Sequence, residues 1–398
     1  MLTKQKFWIN DMEAITCIMF ILIIIGTINI CSASSITAYT NFENPYFFLI
    51  RHLISLLIGF IAFAITSRFN YKRLQNYSLL LVILTILSLS AVLLFGITVN
   101  GSKRWLPLGF MQFQPSEIAK IVTIIISASY LGQCLNKQIP ITINPQKNII
   151  FLLCLIIAGF VEAQPDMGTA LIIIGIPTIM YFIAGLSKKW IGITCGIGII
   201  LFILLATFQP YRLDRIKSWY DPWSRAQEDG YQIVQSILAI GSGKISGMGL
   251  GHGFSKYSYL PESHTDFAFA VLCQELGFIG TLIVFLFLIA LAYYCIKIAL
   301  RTKDNFGKML VCGITLLIVG QATGNMAMVI GLVPVVGVPL PFISYGGTSL
   351  ILNMISIGLV LSVDRHNNKT TKSLKKETLS TNPPIKYLSK KKHLYRLK

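Results

Sequence analysis

The sequence predicts an all-α polytopic membrane protein of about ten transmembrane helices, with one long extracytoplasmic loop between helices seven and eight. Three observations predict it. Of the 398 residues, 54% are hydrophobic and only 13% charged, against roughly 25% charged in soluble domains. Apolar runs recur along most of the chain, each near the ~20 residues that cross about 30 Å of hydrocarbon as a helix. The net charge of +18 is gathered between those runs and in the C-terminal tail, a distribution that sets topology rather than binding nucleic acid.

The first apolar run, 14–32, is longer than a signal-peptide core and follows Asp11 and Glu13, so it reads as an uncleaved span. Further spans are predicted near 47–66, 77–96, 113–133, 148–164, 167–185, 190–208, 266–296, 308–330 and 342–363. Ten crossings put both termini on one side. The segments then sharing that side hold 24 of the 34 Lys and Arg residues, which makes it cytoplasmic by the positive-inside rule. Residues 1–363 form the expected membrane domain. The tail 364–398 carries eleven basic and two acidic residues, includes Pro383-Pro384 and has no apolar periodicity. It reads as a disordered cytoplasmic segment that fixes topology and meets anionic lipid. The eight cysteines lie in or beside apolar runs without a CxxC pair, so neither a disulfide framework nor a zinc site is indicated.

Residues 209–265 form the long loop, beyond the 12–15 residues of ordinary connections. Ile233, Val234, Ile237, Leu238 and Ile240 fall at helical spacing and predict an interfacial helix on the membrane surface. The aromatic residues of the loop fit the ordinary headgroup belt. Its cations are less ordinary. Arg212, Arg215, Lys217, Arg225, Lys244 and Lys256, with Lys103 and Arg104 on the other long outer connection, place positive charge on the face that topology keeps poor in it. That suggests an anionic ligand bound through phosphate oxygens. The glycine-rich stretch 241–253 is no P-loop, since Leu238 stands where the first Gly is needed and Ile245 follows Lys244.

Glu262, His264 and Asp266 fall within five residues at the outer boundary of span eight. Asp266 reads either as a helix N-cap or as a functional acid. The neighbouring Glu262 and His264, and the raised pKa of a carboxylate near hydrocarbon, favour a general base. Glu117 and Lys120, at i, i+3 inside span four, read as a structural internal ion pair. Asp166, at the turn between spans five and six, is either a cap or part of the same outer cavity. Arg51 and His52 read as snorkelling residues. No HExxH, DxD or GxSxG element occurs. No resident metal is indicated. A divalent cation, Mg or Mn, bridging diphosphate and carboxylate stays open, and nothing in the sequence requires one.

Asn100-Gly-Ser-Lys-Arg-Trp105, Gln114-Pro-Ser-Glu-Ile-Ala-Lys120, Pro165-Asp-Met-Gly-Thr169, Asp221-Pro-Trp223 with Gly230-Tyr-Gln232, Leu260-Pro-Glu-Ser-His-Thr-Asp-Phe267 and Pro339-Leu-Pro-Phe-Ile-Ser-Tyr-Gly-Gly347 together resemble the SEDS family of bacterial shape, elongation, division and sporulation proteins. The resemblance runs in order to about residue 363. Gly331-Leu-Val-Pro-Val-Val-Gly-Val-Pro-Leu-Pro341 resembles the RodA branch rather than the FtsW branch. Thr348 stands where Ser is common, and Gln274 where a second acid is often found before Glu275.

The resemblance implies a peptidoglycan glycosyltransferase of cell-wall elongation, polymerising lipid II on the outer face of the inner membrane. Asp266 matches the family's essential acid. Lys103, Arg104, Arg212, Arg215 and Lys256 are candidates for the diphosphate, with Glu262 and His264 beside the substrate. A class B penicillin-binding protein is the implied partner, since no Ser-x-x-Lys set of a soluble transpeptidase domain is present. A lipid II flippase and a recruiting scaffold are the rival readings; the charge lies at the outer rim, whereas transporters hold their sites near the midplane.

Overall fold

The computed structural model describes residues 10–381 apart from 100, 108, 110–111, 144–147, 191, 195, 197, 199–209 and 258, with side chains to 368. Among the described residues, seven helices are long and apolar enough to cross a membrane. They are α1 (Asp11–Phe42), α2 (Phe47–Arg68), α3 (Lys72–Phe95), α4 (Pro115–Lys137), α9 (Ala268–Arg301), α10 (Asn305–Val329) and α11 (Gly347–Thr381). Two shorter apolar helices, α5 (Ile149–Glu162) and α6 (Met167–Ile183), complete nine of the ten expected positions. Most of the remaining one, 190–208, lies outside the described residues. In the long loop stand α7 (Pro210–Tyr220) and α8 (Tyr231–Gly243).

Burial separates the helices into two sets. In α4, α10 and α11, 78%, 67% and 78% of the apolar window is buried, against 22% in α2, α3 and α9. The first set forms the bundle's centre and the second presents apolar side chains outward, as lipid-facing helices must. Ile124, Ile125, Leu310, Ile314 and Leu317 lock α4 to α10 in the main core. A second cluster built on Val82, Ile126, Ile157 and Ile173 joins α3, α4, α5 and α6.

Ion pairs hold the end that carries the first and last described residues. Asp11 accepts from Lys297 Nζ at 2.7 Å and from Arg301, which also reaches Asp364. Tyr71 donates to Asp304 at 3.0 Å, and Asp304 caps α10 through Gly307 N at 2.9 Å. The boundary placed at residue 363 falls inside a helix, because α11 continues to Thr381. Asp364 is fully buried and tied to Arg301, so the chain cannot leave the bundle there. Residues 382–398 lie outside the described set.

Three local features depart from the sequence reading. The connection 97–113 holds a three-stranded antiparallel sheet, β1 (Ile97–Val99), β2 (Ser102–Pro107) and β3 (Gln112–Phe113). Gly101, with φ 74°, makes the turn between β1 and β2. Such strands are too short to show an alternation, and the Asn100-Gly101 pair is the one hairpin signal they carry. Second, α8 does not present its whole apolar face to lipid. Ile233, Val234 and Ala239 are buried, and Ser236 Oγ donates to Val329 O at 2.7 Å at the end of α10.

Third, α9 breaks at Gly277, whose φ of 66° leaves the helical region. The glycine-rich stretch closes the break. Met248 N and Gly249 N donate to the carbonyls of Gln274 and Glu275, both at 3.0 Å, and Phe278 N donates to Lys244 O at 2.9 Å. The carbonyls freed by the kink thus find partners. A Cβ on Gly247 would lie 2.2 Å from Glu275 O, so only glycine permits this approach. The loop amides of Met248 and Gly249 are consumed in the fold, which removes them as a phosphate cradle.

Candidate active site

The end of the bundle opposite the ion pairs gathers the polar motifs. Asp166 is the N-cap of α6, its carboxylate accepting from Thr169 N at 3.3 Å. It also receives Gln114 Nε2 at 3.3 Å and Ser116 Oγ at 3.5 Å from the start of α4. The cap reading holds, and the same carboxylate ties the start of α4 to that of α6. Arg104, on β2, stands beside it with Nη1 at 3.8 Å from Asp166 Oδ1. Its Nε donates to Gln164 O at 3.3 Å and its Nη2 to Pro165 O. This guanidinium is held by a turn and a carboxylate, and keeps 22% of its side-chain surface exposed.

Asp266 lies two residues before α9 and is partly buried. It is not a cap through its side chain: Phe267 is the N-cap residue and accepts no side-chain bond. Its backbone carbonyl takes Asn325 Nδ2 at 2.7 Å, and the same amide nitrogen donates to Val338 O at 2.7 Å. One asparagine on α10 thus pins the acid's backbone to the stretch 336–340. Gly337, with φ 69°, passes directly under the carboxylate, and a Cβ there would stand 3.4 Å from Asp266 Oδ2. Gly337→Ala is expected to cost about 1–2 kcal/mol, because alanine would have to hold a left-handed conformation with its methyl group against the Asp266 carboxylate. Thermal melting and polymer yield should fall together, and an unchanged yield would exclude this positioning role.

Burial pushes the Asp266 carboxyl up to about 7, the charges of Glu262 and Asp166 push the same way, and Arg104 and Arg215 oppose them. Two carboxylates and two guanidiniums therefore converge electrostatically on one acid. Glu262, with φ 54°, receives Thr265 Oγ1 at 2.5 Å, and its carbonyl takes the amides of Thr265 and Phe267, turning the chain into α9. Burial lowers the pKa of His264. Its ring lies 4.5 Å from Phe48 and 5.8 Å from Tyr345, and its carbonyl accepts Tyr345 N at 2.9 Å. It forms an aromatic wall beside the acid.

The other predicted residues divide. Arg215 reaches the site from α7, Nη1 donating to Val335 O at 2.8 Å. Arg212 also belongs to α7, but its side chain is outside the described set. Lys103 points elsewhere: Nζ donates to Leu93 O at 2.9 Å and Leu94 O at 3.0 Å, satisfying carbonyls at the C-terminal end of α3. Lys256 also stands apart, 5% exposed and bonded to Glu275 at 3.3 Å, Ser32 at 3.1 Å and Gly251 O at 2.6 Å. Neither is free to meet a diphosphate beside Asp266. Glu117 and Lys120 pair at 2.7 Å inside the bundle, and Lys120 also donates to Gln321 at 2.9 Å. Gln321 then donates to Pro339 O at 2.9 Å, so this buried chain ends on the stretch that follows Gly337.

Sequence reading assigned no role to Gln114, Asn325 or Gly337. Gln114 lies in the Gln-Pro-Ser motif and Gly337 in the stretch Gly331–Pro341, but nothing in a linear pattern says that they meet.

The sequence profile of the FtsW, RodA and SpoVE family of cell cycle proteins matches residues 12–369. The chain belongs to the SEDS family. Among SEDS relatives, stage V sporulation protein E of Bacillus subtilis (strain 168) is 38% identical over 357 residues, 88% of this chain and 96% of that protein. The probable peptidoglycan glycosyltransferase FtsW of Geobacter sp. (strain M18) is 37% identical over 351 residues, 86% of this chain and 94% of the relative. A SEDS-like chain of a peptidoglycan synthase complex that coordinates polymerization and crosslinking superposes with TM-score 0.73 at 25% identity, covering 89% of this chain and 97% of that one. RodA of Thermus thermophilus superposes with TM-score 0.65 at 25% identity, covering 89% and 96%. The SEDS fold is thus common to proteins bearing division, sporulation and rod-shape names.

Proposed function

We propose that this SEDS protein is a peptidoglycan glycosyltransferase that polymerises lipid II, with Asp266 as its general base. The observation that carries the reading is an acid held near neutral pKa between paired carboxylates and guanidiniums at one end of a membrane bundle. In the reaction, Asp266 removes the proton from the GlcNAc 4-hydroxyl of one sugar. The resulting oxygen forms a bond to the anomeric carbon of the other sugar as its bond to undecaprenyl diphosphate breaks. Arg104 and Arg215 stabilise the negative charge that develops on the leaving diphosphate. By the distribution of basic residues, the termini are cytoplasmic and the Asp266 end faces the periplasm.

Only ionised Asp266 accepts a proton. With its pKa at about 7, the rate of polymer formation is expected to climb as pH rises from about 6 to about 8 and then level. A pH–rate profile on lipid II checks this. A flat or falling profile across that interval would remove Asp266 as the base.

Among the described residues no three His, Cys, Asp or Glu side chains converge, and Asp166 is committed to its cap and to Arg104. A Mg or Mn ion would be held chiefly by the substrate's own diphosphate oxygens. Crosslinking falls to a class B penicillin-binding protein, a partnership supported by the peptidoglycan synthase complex that this chain resembles.

Within the family, the stretch Gly331–Pro341 supports a role in elongation. The identity of 36–38% to several proteins named FtsW or stage V sporulation protein E favours division or sporulation as the second reading. Depletion of the elongation or the division synthase in turn, with this chain supplied, separates them: rescue of rod shape supports the first, and rescue of septation the second. The primary experiment is polymerisation of purified lipid II by the chain with a class B partner. Glycan polymer supports the reading; translocation without polymer would support a flippase.

A further inference from the structure

A polar cavity of about 290 Å³ lies between α7 and the start of α8. Arg215 and Ser218 of α7 form one wall, and Glu228, Asp229, Tyr231 and Gln232 form another where the chain turns into α8. Pro261 and Val335 close it toward the acid. The α7 wall is fixed: Trp219 Nε1 donates to Gly331 O at 2.9 Å, and Arg215 donates to Val335 O at 2.8 Å. Gly230 is required at the turn, because a Cβ would lie 2.5 Å from Pro222 O. Glu228 and Asp229 are exposed at this turn.

The lining carries both signs of charge. Here one guanidinium faces two carboxylates, with a phenol, a carboxamide and a hydroxyl between them. Such a lining complements a zwitterionic peptide, whose amine meets the acids, whose carboxylate meets Arg215 and whose amides meet Tyr231, Gln232 and Ser218. The volume suits a short piece of peptide rather than a whole glycolipid.

We propose that this cavity takes the peptide stem of the substrate through a free side-chain amine at Glu228 and Asp229 and a carboxylate at Arg215. The proposal rests on the glycosyltransferase reading, since the stem belongs to the same disaccharide substrate whose GlcNAc hydroxyl Asp266 deprotonates. Arg215 lines this cavity and its charge also acts on Asp266, which couples recognition of the stem to the reacting centre.

The test is binding of an N-terminally labelled pentapeptide with one side-chain amine to the full chain in detergent, read by fluorescence anisotropy. Acetylating that amine is expected to weaken binding roughly three- to tenfold, the range for losing exposed charge pairs. Glu228→Gln with Asp229→Asn should abolish the preference for the unmodified peptide, and an unchanged melting temperature shows that these exposed conservative changes leave the fold intact. No binding at millimolar peptide, no effect of acetylation, or a preference kept by the double variant would each overturn the proposal. Parallel polymerisation of lipid II separates the two readings. Polymer without peptide preference removes the stem site alone, and peptide preference without polymer removes the glycosyltransferase reading and leaves the stem site standing.

Discussion

Asp266→Asn is expected to lower the rate of glycan polymerisation by about 10²–10⁴, the contribution of a positioned general base, while leaving the protein folded. The amide has nearly the shape of the carboxylate and keeps the backbone carbonyl that Asn325 holds. What it loses is the capacity to take a proton. It also relieves the repulsion that Glu262 and Asp166 exert on the native carboxylate, so the melting temperature should be unchanged or higher. Gel analysis of polymer from purified lipid II, with the partner bound and the melting curve recorded for each protein, separates chemistry from folding. Equal polymer from both proteins would transfer the base to another acid, with Glu262 the nearest candidate in sequence.

Lys120→Met is expected to cost about 3–5 kcal/mol of stability. Lys120 and Glu117 are 3% and 5% exposed, and their pairing at 2.7 Å is the main compensation for two charges held away from water. Removing the ammonium leaves the carboxylate buried and uncompensated, and it also frees Gln321 Oε1. The double change Glu117→Gln with Lys120→Met should recover most of the loss, because it removes both charges. Thermal unfolding in one detergent across the three proteins measures this. A single variant as stable as the native chain would show that the pair contributes nothing. Because the chain Glu117–Lys120–Gln321–Pro339 ends two residues past Gly337, which touches Asp266, the single variant should lose polymerase activity beyond what its folded fraction accounts for.

The same two residues show what a linear reading can reach. An acid and a base at i, i+3 inside an apolar run have to pair, since hydrocarbon offers no water to solvate them; the pairing is local and legible. Gln321 is 201 residues away from Lys120, and no periodicity announces it. The cation assignments divided for a related reason. Charge and side of the membrane nominated Lys103, Arg104, Arg215 and Lys256 alike, but direction depends on tertiary partners. Lys103 turns to the carbonyls of α3 and Lys256 to Glu275, while Arg104 and Arg215 stay beside the acid.

Composition and the spacing of apolar runs determined by themselves that the chain is a membrane bundle, because the cost of burying backbone in hydrocarbon leaves helices as the economical solution and sets their length. The motif Leu260–Phe267 likewise placed Asp266 at a helix boundary before any coordinates. Only the tertiary structure decided that this acid rests on Gly337, is pinned by Asn325 and lies between Glu262, Asp166, Arg104 and Arg215. Those neighbours come from five separate stretches of the chain, and a carboxyl group's affinity for its proton depends on desolvation and on charges through space, neither of which has a sequence distance.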